Sequence, residues 1–222
     1  MVWNVEMSKQ ISMIILFIVL ILVCFKYKKI ERVNLIFFTG FITISIIDFF
    51  CYFYFKMTKI STDKFYVVGM FVMFLLYLIY YYKLLYLESL RKIQLVLMML
   101  FAVNGCIMFG VGANFFENFS FNTFYVNILL LTFSIILFLY QTFNSDRIFE
   151  IKNYLPFWIS VGSLLFYIGI IPISYFRTTV SYDIYFFFLF LLNLINNGVI
   201  VFGLFWNKRN TDKPGSYGRQ SE

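Results

Sequence analysis

Asp48 is the one acidic residue that falls well inside a long apolar run of this chain. A carboxylate at the bilayer centre costs about 2.5–3.5 kcal/mol on insertion scales, so such a residue faces a protein interior or water. Its chemistry there would be contact with a proton, a cation or a ligand. Ser45 lies one helical turn before it on the same face, within hydrogen-bonding reach. Asn193, Asn196 and Asn197 form a second polar group in the last apolar run. Spacings of three and four put Asn193 on one face with each of the other two. Asn104, near the middle of another run, completes the candidate set.

Two uses of these residues stay open. They line a polar cavity with a ligand, or they clamp helices together and fix their register. Interhelical polar contacts average only about 0.6 kcal/mol in one membrane system. Asp48 and Asn193 sit at overlapping depths, slightly to one side of the middle of their runs. An Asp48–Asn193 hydrogen bond between the second and seventh runs is therefore expected.

Other chemistry is poorly provided for. The chain has no histidine, the commonest general base and metal ligand. Cys24, Cys51 and Cys106 all fall in apolar runs without paired spacing, as small buried hydrophobes do. No HExxH, nucleophile elbow or Walker loop is present. Two-carboxylate hydrolysis lacks its second intramembrane carboxylate. The last run has no lysine for a retinal Schiff base. No enzyme activity, metal or cofactor is expected.

The elements that would position the polar set are long and apolar. The chain is 62% hydrophobic and 13% charged, against roughly 45–50% and about 25% in a soluble domain. A soluble fold could not cover that much apolar surface, whereas a chain solvated by lipid can. A spanning helix needs about 20 mostly apolar residues. Seven candidates cover residues 11–25, 33–55, 65–82, 95–114, 125–143, 155–175 and 184–206. The fold expected is an all-α bundle of seven transmembrane helices over residues 1–206, with a polar tail over 207–222. Lys26, Lys28 and Lys29 after the first run form a stop-transfer flank, so it is a span and not a cleaved signal. The first and second groups of three helices share no clear similarity, which weakens a repeat-built transporter.

Thirteen of the Lys and Arg residues fall after odd-numbered runs and in the tail, and five fall on the opposite side. Cytoplasmic loops carry this excess. The N-terminus is expected outside and the C-terminus inside a cytoplasmic membrane. This asymmetry also accounts for the net charge of +7 without a nucleic-acid partner, since no basic–aromatic groove is present. The base-free loop 117–122 contains Asn118-Phe119-Ser120, a glycosylation pattern too short to carry weight.

Packing features are also legible. Ala102, Cys106 and Gly110 repeat every four residues, a small-residue stripe that permits close helix approach. Pro156 suits the first turn of the sixth helix, and Pro172 would bend its far end. Trp158 and Trp206 read as anchors at the inner interface, and Tyr80, Tyr81 and Tyr82 as a belt there.

Two stretches, Leu155-Pro-Phe-Trp-Ile-Ser-Val-Gly-Ser-Leu-Leu-Phe-Tyr167 and Leu192-Asn-Leu-Ile-Asn-Asn-Gly-Val-Ile-Val-Phe-Gly-Leu-Phe-Trp206, resemble the last two helices of small bacterial seven-helix membrane modules. Those modules are fused to, or encoded near, sensor histidine kinases. The resemblance implies a non-enzymatic sensor or signalling accessory. No kinase domain follows Trp206, so the signal would pass to a separate signalling protein. A small transporter or channel using Asp48 and the asparagines, or a scaffold subunit of a membrane complex, are the alternatives.

The orientation predicts that alkaline phosphatase fused after Ser61 is active in intact cells and that a fusion after Glu222 is inactive. The reverse pattern would invert the topology.

Overall fold

The computed structural model describes residues 5–111, 121–176 and 179–207, with no strand among them. Seven helices dominate: α1 (Val5–Lys26), α2 (Arg32–Thr58), α3 (Asp63–Leu84), α4 (Glu88–Val111), α5 (Phe121–Phe143), α6 (Leu155–Tyr175) and α7 (Tyr182–Trp206). All seven are long and apolar enough to cross a membrane, so the chain is a multi-pass membrane protein. Short 3-10 segments occupy Tyr27–Lys29 and Asp146–Asn153.

Most helices run past the apolar segments that mark them, because hydropathy registers only the part in hydrocarbon. The largest extension is in α4, which begins at Glu88, about two turns before the apolar run. There Glu88 pairs with Lys92 at 2.9 Å, an exposed i,i+4 contact that supports the projecting turn. Pro156 sits in the first turn of α6, where its missing N–H leaves no bond unmade.

Sequential neighbours pack in a ring that α7 closes against α1, while α3 also touches α5 and leaves α4 on the periphery. The central helices are thus α3 and α5. The core carries stacked rings: Phe37 and Tyr77 lie 4.6 Å apart, centroid to centroid. Around them Phe74, Phe138, Ile128, Leu131 and Ile135 are buried. Each such side chain contributes dispersion that lipid on one flank could not match.

The close helix approaches lie elsewhere than expected. Ala102 and Cys106 are on the exposed face of α4, turned to lipid, and the surroundings of Gly110 are outside the described residues. The face of α4 that packs is offset from that stripe. It carries Phe101, stacked on Phe71 at 4.5 Å, and Gly105, where an added Cβ would meet the Phe71 ring at 2.7 Å. The tightest seams are between α6 and α7, and between α2 and α3. A Cβ at Gly203 would lie 2.5 Å from Trp158 Cβ, and one at Gly162 would lie 3.2 Å from the Asn196 carbonyl oxygen. A four-residue period identifies a small face but not its neighbour.

Tyr80 and Tyr81 also differ from the interfacial belt expected of them. Both are fully buried. The Tyr80 hydroxyl donates to Asn34 Oδ1 at 3.1 Å, and the Tyr81 hydroxyl pairs with Ser160 Oγ at 3.2 Å. They tie α3 to α2 and to α6. Tyr82 stays at the surface, accepting from Arg91 at 3.1 Å. Trp158 donates to the Lys152 carbonyl at 3.2 Å, and the Lys152 ammonium lies 3.8 Å over the Trp206 ring. At the same end Lys26 donates to the Leu204 carbonyl at 3.0 Å, and Asn207 donates to the Lys29 carbonyl at 3.2 Å. These two bonds fasten α1 to α7.

Gln141 closes the turn between α3 and α4. Its Oε1 accepts from the backbone N–H groups of Tyr86 (2.9 Å) and Leu87 (3.1 Å), and its Nε2 donates to the Leu84 carbonyl (3.3 Å). Gln141→Leu strands two N–H groups. It is expected to destabilise the protein by about 1–3 kcal/mol, read as a lower thermal midpoint in detergent. Cys106→Leu, facing lipid, is expected to leave that midpoint within error.

Candidate functional site

The weak junction of the ring is between α1 and α2: α1 packs far more on α7 than on α2. A cavity of about 870 Å³ fills the resulting gap, at the end of the bundle that holds the N-terminus and the α2–α3 turn. Ligand pockets commonly fall in the range of about 300–1,000 Å³. A water takes roughly 30 Å³ in the liquid, so solvent reaches the lining groups.

The deep part is polar on three sides. Asp48 enters from α2, Tyr66 from the first turn of α3, and Asn193 and Asn197 from α7. The Tyr66 side chain lies close to the Asp48 carboxylate. One turn along α2 from Asp48, the buried Cys51 thiol lies beside Thr62, and both line the same wall.

Asn193 and Asn197 are four residues apart and share a face of α7. Asn193 Nδ2 donates to the Leu189 carbonyl of its own helix at 3.0 Å. The expected bond from Asp48 to Asn193 is therefore not made: Asn193 bonds within its own helix, and the two residues face a shared space. Asn197 is 4% exposed and its Oδ1 has no hydrogen-bond partner. That oxygen is enclosed by protein atoms, and an unmade bond on a buried amide is costly.

Three other candidates are placed elsewhere. Ser45 is fully buried and its hydroxyl donates to the Phe41 carbonyl at 2.6 Å, not to Asp48. Asn104 Nδ2 donates to Asn127 Oδ1 at 2.9 Å, joining α4 to α5. Asn196 faces the α6 seam at Gly162, away from the cavity.

The mouth is charged. Lys9 from α1, Lys56 from α2 and Lys59 from the turn surround it, with Glu6 and Asp63 among them. Lys9 lies 5.0 Å over the Phe186 ring, and Lys56 5.8 Å over that of Tyr52. Lys59 takes the left-handed conformation (φ 60°) that ends α2, and its N–H bonds the Phe55 carbonyl at 2.9 Å. Between mouth and floor the walls are apolar, with Met13, Leu16, Phe55, Leu189 and Phe190.

The cavity is blind. Its lining stops at Leu16, Asp48 and Asn197. The next turns inward carry Val19, Val23, Phe41, Ile200 and Leu204, all buried in one apolar core. Among the described residues no group of three His, Cys, Asp or Glu could hold a metal ion.

Sequence reasoning missed Tyr66, Thr62, the role of Cys51 and the three mouth lysines. Tyr66 is one of 17 tyrosines, so its identity carried no signal. Only the α2–α3 turn brings it opposite Asp48.

Asn193→Cys, with the native cysteines replaced by serine, is expected to react with a membrane-impermeant methanethiosulfonate added to the side that the cavity mouth faces. Leu194→Cys, facing lipid, is expected to stay unmodified. Equal protection of both would mean that water does not enter the cavity. No protein-family model, no curated protein and no solved structure matches the chain.

Proposed function

We propose that this protein is a membrane-embedded ligand sensor, a non-enzymatic signalling accessory that binds a small molecule in the cavity around Asp48. Its occupied state passes to a separate protein through the inner loops. The carrying observation is the blind cavity, polar at its floor and solvent-connected at its mouth. A channel needs a continuous path, and the buried apolar residues inward of Asn197 interrupt one. The resemblance of the last two helices to kinase-associated modules points the same way.

The ring makes such a relay physically accessible. A ligand that draws Asp48 and Asn197 together pulls α2 toward α7, and α7 is fastened to α1 at the inner end through Lys26 and Leu204. Movement of α7 therefore reaches the basic segment Lys26–Arg32. In the proposed topology this segment faces the cytoplasm, where an acidic partner surface would read it. The membrane is the cytoplasmic one in this reading.

A strain carrying Asp48→Asn is expected to reproduce the transcript changes of a deletion strain while the protein accumulates normally. Wild-type transcripts in that strain would overturn the sensor. Substrate flux in proteoliposomes that Asp48→Ala abolishes would establish the transporter instead.

A further inference from the structure

The cavity is electrically polarised along its length, and this selects a ligand. The floor carries one carboxylate, Asp48. The mouth carries three ammonium groups, Lys9, Lys56 and Lys59, against two carboxylates, Glu6 and Asp63. Counted as formal charges the lining is neutral overall, with one negative charge inside and an excess positive charge at the rim. A simple anion is held at the rim and repelled from the floor. A simple cation is attracted to the floor and repelled on the way in. A molecule with an amine leading and an acid trailing satisfies both ends.

The remaining groups agree with an amine at the floor. Tyr66 lies beside the Asp48 carboxylate, and a carboxylate has capacity for several donors. Asn193 is fixed with its nitrogen on the Leu189 carbonyl, so its Oδ1 remains an acceptor. Asn197 adds a second amide to the wall, with its oxygen enclosed by protein. An ammonium has three donors to distribute, and the floor offers the two Asp48 oxygens and Asn193 Oδ1, from two helices.

The length between the ends is also set. Asp48 and Lys56 are eight residues apart on α2 and Lys59 follows the helix, giving about 12–16 Å at 1.5 Å per residue. The walls along that length are the apolar side chains of α1, α2 and α7. Extended chain covers about 3.3–3.6 Å per residue, so roughly four residues of peptide span it.

Resting on the ligand-sensor reading, we propose that the cavity binds a zwitterionic amphiphile that enters amine first, with its ammonium on Asp48, an apolar body between α1, α2 and α7, and its acidic group among Lys9, Lys56 and Lys59. A short linear apolar peptide with free termini has this form, and so does an ω-amino fatty acid.

The test is equilibrium binding to the full chain in nanodiscs. The probes are tetraleucine, its N-acetylated and C-amidated forms, and an ω-amino fatty acid of matching length. Free tetraleucine or the amino fatty acid is expected to bind, and whichever is tighter identifies the source. Acetylating the amine is expected to weaken binding at least tenfold, and amidating the acid severalfold. In Asp48→Asn the preference for a free amine should vanish. In a Lys56→Gln, Lys59→Gln variant the preference for a free acid should vanish while the amine preference remains. That second variant changes only exposed positions and guards against misfolding at Asp48. Equal binding of free and acetylated peptide, or no binding of any probe, overturns the proposal. If that happens while Asn193→Cys is still labelled from the side that the cavity mouth faces, the ligand class is wrong and the cavity stands. If position 193 is also protected, the sensor reading fails with it.

Discussion

Hydrocarbon offers no hydrogen bonds, and the arrangement of this bundle follows from that constraint. Every polar group inside the membrane needs a partner within the protein or in trapped water. Interior hydroxyls and amides that are paired meet it in two ways, while a few buried atoms such as Asn197 Oδ1 are left without a partner. Some bond back onto their own helix, as Ser45 does to Phe41 and Ser134 to Leu130. Others bridge helices: Tyr80 to Asn34, Tyr81 to Ser160, Asn104 to Asn127 and Gln94 to the Leu78 carbonyl. The bridges explain why α3 is central, since it contributes to three of these four.

Against that background the cavity around Asp48 is an exception with a structural cause. Where α1 leans on α7 instead of α2, the ring leaves space, and Asp48 and Asn193 face it. Asp48 is thus tolerated by its place in a cavity that opens at a charged mouth. The inner half of the same helices is packed with Val19, Val23, Ile200 and Leu204. One half of the α1–α7 interface is therefore dry and rigid, and the other is wet and open to a ligand. That division suits a device in which events at one end move elements at the other.

Much of the fold was legible. Seven apolar runs, their approximate limits, the first-turn place of Pro156 and the polar weight of Asp48 and the α7 asparagines all follow from residue type and helical period. The site was legible in part. Asp48, Asn193 and Asn197 do meet around one space, but Ser45 and Asn104 are hydrogen-bonded elsewhere and Asn196 packs at the α6 seam. On α7 the distinction is geometric: Asn197 follows Asn193 by four residues and stays on its face, while Asn196 turns toward Gly162 on α6. The small stripe at Ala102 and Cys106 misled for the same reason, because periodicity defines a face and leaves its neighbour unspecified.

The sequence by itself determined the solvent of this protein, the number of its helices and which side chains would be expensive to bury. Those follow from composition and from the length of helix a bilayer requires, both local properties. Only the tertiary structure decided which faces meet: that Tyr80 and Tyr81 are core and not belt, that Tyr66 answers Asp48, and that three lysines from α1, α2 and the turn gather at one mouth. Helix rotation and neighbour choice depend on steric fit between surfaces far apart in the chain, such as Gly203 against Trp158. No residue pattern within a single helix contains that information.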